Sequence, residues 1–320
     1  MFFSVIIPIY NRPQELEELL LSLTRQTYHE FEVVVIEDGS DFPAEKIVYS
    51  YQNHFSIRYI SQTNQGQGFA RNTGMQQAEG DFFIILDSDV ILPEDYLAIV
   101  SGAIESRNLD AFGGPDAASG DFSTLQKSMD FAMTSFWTTG GIRGKLKDPS
   151  KYQARGFNMG VSKAVFKETQ GFIDPNRGED IEWSIRIKKA GFKLELVEAA
   201  FVYHKRKNSL FSFAKQAFSF GKNRVNVSRF HPEAIKIVHL LPTGFALFLV
   251  FMLPMTFIST GIFNIQLLAL VIWLGMIFFT ALSQYRSFSV ALLSLLTSLI
   301  QLTCYGAGLL LEWAVKLVKG

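Results

Sequence analysis

From Leu240 to Tyr285 the chain carries no charged residue, and no other feature constrains its fold as tightly. Over residues 240–320 only Arg286, Glu312, Lys316 and Lys319 are charged, although the whole chain has 30 Lys and Arg and 30 Asp and Glu. Three apolar segments lie here, roughly 239–259, 262–283 and 288–315, and each reaches the about 20 residues needed to cross a bilayer's hydrocarbon. A buried helical core is the competing reading, but three such stretches without an amphipathic face have nothing soluble to pack against. The pattern predicts three membrane spans over 239–320. Pro242 and Pro254 leave open a first segment broken into a re-entrant hairpin.

Between residues 199 and 239 stand eight Lys or Arg and one acid, Glu233. Basic residues beside spans mark the cytoplasmic side and suit an anionic lipid surface. Residues 206–238 therefore read as a basic, aromatic link at the headgroup level, in contact with membrane lipid. At 100° per residue Phe211 and Phe218 share a side with Lys215 and Lys222, while Phe213 and Phe220 face the other way; a soluble helix fits this pattern too. The expected location is the inner cell membrane, multi-pass, with residues 1–205 cytoplasmic. A chain of zero formal net charge lacks the broad basic footprint of a nucleic-acid binder. Cys304 is the lone cysteine, which excludes intrachain disulfides and thiolate metal clusters. Residues 2–10 are apolar but short, lack a basic flank and hold Pro8, so they read as a buried strand, not a signal peptide.

Ahead of the apolar tail, strands and helices alternate. Residues 4–9 and 32–36 are continuous β-branched runs, as expected of strands buried on both faces. Leu16, Leu19, Leu20 and Leu23 recur at helical spacing after Pro13, which suits a first helical turn. Further helices are expected at 43–51 and 68–78, with strands at 56–60 and 81–86. This alternation predicts an α/β fold with a mostly parallel sheet covered on both faces. Ligands of such sheets bind beyond the carboxyl ends of the strands. Two acid clusters, Glu37-Asp38 and Asp87-Ser88-Asp89, fall at such ends. Two carboxylates one residue apart can approach one hard cation, or one can bind metal while the other holds a ribose hydroxyl.

Residues 64–74 (NQGQGFARNTG) begin like a dinucleotide-binding loop. Arg71 stands where the third glycine belongs, and the segment follows the third strand, so a nicotinamide site is rejected. Arg71 suits a nucleotide phosphate or base instead, its bland alternative being a pair with a neighbouring acid. Residues 138–152 are rich in Gly, Lys and Ser without periodicity and read as a loop: a lid that orders over donor, or an inert surface loop. Asp180 stands ahead of a helix expected at 181–190, where it either caps the helix or accepts a proton.

Residues 4–12 (SVIIPIYNR), 37–41 (EDGSD), 64–74, 87–89 (DSD), 156–160 (GFNMG), 171–172 (GF) and 178–180 (GED) together resemble the signature series of family 2 glycosyltransferases. The resemblance covers about residues 3–205 and implies a GT-A nucleotide-sugar-binding fold. It implies an inverting, single-displacement transfer helped by a divalent metal, Mn²⁺ or Mg²⁺. Carried over residue by residue, it implies that Pro8 and Tyr10 line a base pocket and that Asp38 accepts a hydrogen bond from uracil. Arg71 and Asp87 then belong to the nucleotide-sugar site, and Asp89 and His204 to the metal. Asp180, with Glu179 beside it, is the implied catalytic base, and Trp183 faces the acceptor sugar. Glu37 stands where many members have a first Asp. The implied division is a nucleotide-binding half at 1–90 and an acceptor half at 91–205.

The expected activity is transfer from a nucleotide-sugar donor, a UDP-sugar by the uracil contact, to a hydroxyl of a lipid-linked or membrane-proximal glycan acceptor. A polyprenyl-phosphate acceptor is the alternative, but an ionised phosphate needs no base, which leaves the Glu179-Asp180 signature without work. A processive synthase would carry a Gln-x-x-Arg-Trp motif that is absent here. A catalytically silent scaffold fits poorly with an intact set of acids.

Overall fold

The computed structural model of the protein describes residues 1–117, 122–140, 148–204 and 209–319, with the side chains of His204 and Lys319 outside the description. In chain order the first half gives β1 (Phe3–Ile9), α1 (Pro13–Leu23), β2 (Phe31–Asp38), α2 (Glu45–Ser50), β3 (Ser56–Gln62), α3 (Gln67–Gln77) and β4 (Phe82–Leu86). Next come β5 (Val90–Ile91), α4 (Tyr96–Arg107), β6 (Ala111–Gly113), β7 (Asp116–Ala117), α5 (Thr124–Thr134) and α6 (Phe136–Thr139). They are followed by β8 (Asn158–Ser162), α7 (Lys163–Thr169), α8 (Glu179–Lys189), β9 (Leu194–Leu196) and β10 (Val202–His204). The chain ends in α9 (Leu210–Phe230), α10 (Ile237–Ile258), α11 (Thr260–Tyr285) and α12 (Phe288–Lys319).

Two compact units result: Met1–Ser119 with Lys147–Lys205, and Gly120–Leu146 with Arg206–Gly320. In the first, a seven-stranded sheet has the order β3-β2-β1-β4-β8-β6-β9. β3, β2, β1 and β4 run parallel, as the alternation predicts, while β8 runs antiparallel to both β4 and β6. The β-branched run of β1 is buried on both faces. Phe3, Val5 and Ile7 pack in one core with Leu16, Leu19 and Leu20 of α1 and Leu97 and Val100 of α4. Ile6 packs in the other with Ala70 and Met75 of α3 and with Trp183 and Ile187 of α8. Each fully buried Leu, Ile or Phe contributes roughly 1.5–3 kcal/mol, so the two layers together hold the sheet.

The chain leaves β1 for β2 and β3 on one side, then crosses back through α3 to β4 on the other side of β1. This reversal is a topological switch point, and the crevice beyond it is where ligands of open α/β sheets bind. A smaller sheet, β5-β10-β7, completes the unit, with Tyr203 opposite Ile91 and His204 opposite Val90.

The second unit is helical. α9 buries Phe213, Ala217, Gly221 and Val225, a face at helical spacing, and leaves Phe211 exposed. Its backbone runs close to α12, because a Cβ added at Gly221 or Gly308 would collide with the carbonyl oxygen of Tyr305 or Phe218. Glu312 of α12 is buried and paired with Arg229 (3.1 Å) and Lys222 (3.5 Å) of α9. α5 belongs to this unit as well: Thr297 Oγ1 donates to the Ser128 carbonyl at 2.9 Å, and Tyr285 OH to Asp130 Oδ2 at 2.8 Å.

α10 runs unbroken through Pro242 and Pro254, without the re-entrant break those prolines left open. α10, α11 and α12 are all long and apolar enough to cross a membrane. Of the loop expected at 138–152, residues 141–147 lie outside the described residues, and Thr138 and Thr139 end α6.

Candidate functional site

Strand register brings the expected acids to one edge. β1 pairs with β2 through Ile9 and Glu37, β2 with β3 through Asp38 and Gln62, and β1 with β4 through Ile6 and Ile85. Tyr10, Asp38 and Asp87 therefore emerge at the same carboxyl edge. Pro8 is buried beyond the last β1–β4 pair, where its missing N–H interrupts no bond to β4. Tyr10 is half exposed at the strand's end.

Asp38 is buried, and its carboxylate accepts from Gln62 Nε2 (2.8 Å) and from the backbone N–H groups of Gln65 and Gly66 (both 2.9 Å). It thus anchors the loop that opens α3. A carboxylate has about four acceptor sites, so three donors leave room for a fourth such as a base N–H. Glu37 is occupied differently. It accepts from Ser40 Oγ, from the Ala44 N–H at 2.8 Å and from Tyr59 OH at 3.2 Å, which makes it the organiser of the following turn. A shorter Asp would not reach all three.

Arg71 is 1% exposed, with Nη2 donating to Asp87 Oδ1 at 2.6 Å and Nη1 to Glu179 Oε1 at 3.1 Å. The fork is committed to protein carboxylates, which it bridges: Asp87 at the end of β4 and Glu179. Gly156 makes room for this bridge: a Cβ there would stand 2.5–2.7 Å from the guanidinium. The Phe172 ring closes the other side at 5.3 Å.

Glu179 and Asp180 form the first turn of α8, whose N-cap is Gly178 in a left-handed conformation (φ 81°). Asp180 is therefore inside the helix, which corrects the expectation that it might serve as the cap. Its Oδ2 accepts from the Gly156 N–H at 3.3 Å. Glu179 is buried beside it and also accepts from Gln67 Nε2 at 2.6 Å. Burial pushes the Glu179 carboxyl up to about 7; the Asp180 charge adds to this and Arg71 opposes it. Trp183, one turn further on, is fully buried, with its ring 4.5 Å from Phe172 and Nε1 donating to Thr169 Oγ1 at 2.7 Å. It packs in the core against Phe172 and helps seat α8.

Asp89 is paired with Arg12 Nη1 at 2.5 Å. His204 lies one register step away, opposite Val90, and its side chain is outside the described residues. Among the described residues no three His, Cys, Asp or Glu side chains form a ready-made metal cage. Mg²⁺ and Mn²⁺ at nucleotide sites use one or two carboxylates plus substrate phosphates, and the hard oxygens of Asp87 and Asp89 fit that donor set. The Arg12 side chain is 40% exposed.

Buried acids are not all part of this edge. Glu32, at the opposite end of the strands, accepts from Ser4 Oγ, Arg58 and the Glu79 N–H. Burial would raise its pKa, but these bonds hold it below the ordinary value. Sequence reading missed Arg12, Gln67, Asn72 and Gly156 as parts of the edge. Asn72 fixes the loop before α8 by bonding both the N–H and the carbonyl of Phe172 (2.9 and 2.7 Å). All four lie inside the quoted signature segments, and that placement was the available signal.

Comparison with known proteins agrees with this geometry. A sequence profile of glycosyl transferase family 2 matches residues 4–170. The glycosyltransferase AglE of Haloferax volcanii is 26% identical over 237 residues, covering 71% of this chain and 74% of that protein. The hyaluronan synthase of Pasteurella multocida is 28% identical over 241 residues, 63% of this chain, which spans 24% of that synthase's length. Among solved structures, the mannosyltransferase PcManGT of Pyrobaculum calidifontis, in complex with GDP-Man and Mn²⁺, superposes with a TM-score of 0.65 at 16% identity, over 98% of this chain and 87% of that one. The fold is GT-A, the profile covers more than half of the residues, and the chain belongs to glycosyl transferase family 2.

Proposed function

We propose that the chain is a membrane-anchored, metal-dependent, inverting glycosyltransferase that moves a sugar from a nucleotide-sugar to a hydroxyl of a lipid-linked or membrane-proximal glycan. The reading is carried by one observation: Asp87, at the end of β4, and the Glu179-Asp180 pair, at the start of α8, meet across one buried arginine. In this reading a donor-side carboxylate and a proton acceptor share one crevice, which that arrangement supports.

In this reading Pro8, Tyr10 and Asp38 receive the base, with a uridine nucleotide favoured by the remaining acceptor capacity of Asp38. Asp87 steadies the ribose or diphosphate. Asp89 and His204 would hold a divalent cation, which supplies positive charge to the departing diphosphate. Asp180 takes the proton from the attacking hydroxyl, and needs to sit within about 3 Å of it. Burial pushes the Glu179 carboxyl up to about 7, which lessens the negative charge that builds up beside Asp180. α10–α12 anchor the enzyme in the cell membrane, with the catalytic unit in the cytoplasm. PcManGT was solved with GDP-Man and Mn²⁺, which supports a metal and makes guanosine donors the competing class.

A panel of UDP-, GDP- and dTDP-sugars, assayed for binding and for hydrolysis with and without Mn²⁺, tests the reading. A metal-dependent preference for UDP-sugars is expected; no binding of any donor sinks it. Asp180→Asn should lower transfer by about 10²–10⁴-fold while donor binding persists, since that is the range a general base supplies. Normal transfer by this variant would show that the nucleophile needs no base, as a phosphate acceptor would not.

A further inference from the structure

We propose that Arg71 is a positioning residue: its buried guanidinium locks the Asp87 loop to the Glu179-Asp180 turn, so that donor site and proton acceptor keep a fixed mutual geometry. The proposal rests on the functional reading above and deepens it.

Four observations carry it. The fork reaches two carboxylates that are far apart in sequence, Asp87 at 2.6 Å and Glu179 at 3.1 Å, and each belongs to a different half of the site. Gly156 has its Cα against the guanidinium and donates its N–H to Asp180, so the same contact that admits Arg71 also touches the base. α3 is riveted to the loop ahead of α8 at three further points: Gly68 N–H to the Pro175 carbonyl (2.8 Å), Gln67 to Glu179 (2.6 Å) and Asn72 to Phe172 (2.7 and 2.9 Å). Its opening loop is also held by Asp38, through the N–H groups of Gln65 and Gly66. α3 is thus the frame to which the recognition end and the reaction end are both fastened, and Arg71 is the part of it that joins the carboxylates.

Direct contact of Arg71 with donor is disfavoured by its burial. A role in stability alone is disfavoured by energetics, because buried ion pairs are generally no more stabilising than well-packed apolar residues of the same volume. What a planar fork does supply is bidentate geometry, and lysine, a point charge, cannot satisfy both carboxylates at once.

The test uses the full chain in detergent micelles and measures UDP or GDP release with Mn²⁺ from UDP-glucose, UDP-N-acetylglucosamine and GDP-mannose, water being the acceptor. Donor Kd is measured separately by calorimetry. Arg71→Lys should lower kcat by about 100-fold, the scale of an approximately 1 Å misplacement of reacting groups. Its donor Kd should stay within a few-fold of wild type. Arg71→Gly should recover activity with added guanidinium ion and not with ammonium, a rescue that a loss of fold would not permit. Wild-type kcat in Arg71→Lys overturns the proposal, as does a Kd that rises in step with the lost activity, which would make Arg71 a donor contact. If neither Arg71 variant folds, Glu179→Ala cuts the bridge from its other end: the same loss of kcat at unchanged Kd supports the proposal, and unchanged kcat overturns it. A wild type that neither binds nor cleaves any of the three donors overturns the functional reading and the proposal with it.

Discussion

The two units of the molecule are built on opposite solvent logic. In the α/β unit the sheet is apolar on both faces, and the charged groups inside are paired: Glu32, Glu37, Asp38, Arg71 and Glu179 are all buried with named partners. In the helical unit the large apolar side chains face outward, with Phe257 93% and Leu253 73% exposed. Its interior along α12 holds Ser294, Thr297, Ser298 and Gln301. Water drives the first arrangement by expelling apolar surface. It cannot drive the second, where close backbone approach at Gly221 and Gly308 and interhelical hydrogen bonds take over, as in lipid. The difference teaches that a buried polar group means chemistry or strand-end anchoring in one unit, and helix association in the other.

The sharpest way to break this comparison is one substitution made in both units. Ile272 lies midway along α11 and is half exposed; Phe42 lies in the α/β unit and is more exposed still, at 69%. If α11 crosses a bilayer, Ile272→Asp should cost roughly 2.5–3.5 kcal/mol of insertion, read as failure to fractionate with membranes. Phe42→Asp should change stability by no more than about 0.5 kcal/mol, as surface substitutions do. Equal effects at the two sites would mean that α11 is not in lipid.

The same contrast explains what the sequence made legible. Runs such as residues 4–9 and 32–36 announce strands buried on both faces because every residue is apolar, and β1 and β2 lie there. α10–α12 are legible because charge is absent throughout α10 and α11 and from Phe288 to Leu311 of α12. β8 was not, since Asn158, Gly160 and Ser162 break any apolar pattern; Asn158 is instead held by Tyr96 OH and by the Ala200 carbonyl. β5, β7 and β10 have two or three residues each, too few for periodicity to register. Asp38 and Asp87 stand out in the sequence because strand ends and signature positions coincide, and Asp180 because a signature position opens a helix. Arg71 and Trp183 could be picked out but not oriented, because burial depends on which segments pack above them. Arg12 could be read as part of a signature segment but not given a partner: its pairing with Asp89 exists only after β1 and β4 are side by side.

Ionisation gives a second test. Burial raises the folded Glu179 carboxyl from an ordinary 4.5 to about 7, so between those values the folded chain keeps a proton that the unfolded chain has lost. Stability contributed by the neutral form is present at low pH and declines as pH rises toward 7. Glu179→Gln should remove this slope. Between pH 5 and pH 7.5 the wild type should lose on the order of 2 kcal/mol relative to the variant, measured by denaturant midpoints of the α/β unit. A difference that is flat with pH would place the proton elsewhere. Neutral hydroxyls along α12 should add no slope of their own.

The smallest effect is the most discriminating. Tyr96 OH donates to Asn158 Oδ1 at 2.6 Å in the α/β unit, and Thr297 Oγ1 donates to the Ser128 carbonyl at 2.9 Å in the helical unit; both side chains are fully buried. Tyr96→Phe leaves an acceptor that the unfolded chain would give to water, and should cost about 1–3 kcal/mol. Thr297→Val leaves a carbonyl whose reference state, a helix already in lipid, also offers it partners. Interhelical bonds of that kind average about 0.6 kcal/mol when deleted. Thr297 further shares its hydroxyl with the Leu293 and Ser294 carbonyls of its own turn, which dilutes the interhelical part. Denaturant unfolding of the α/β unit and detergent unfolding of the helical unit should therefore rank Tyr96→Phe above Thr297→Val. The reverse order would mean that α12 is solvated by water when unfolded, and that the second unit obeys the same solvent logic as the first.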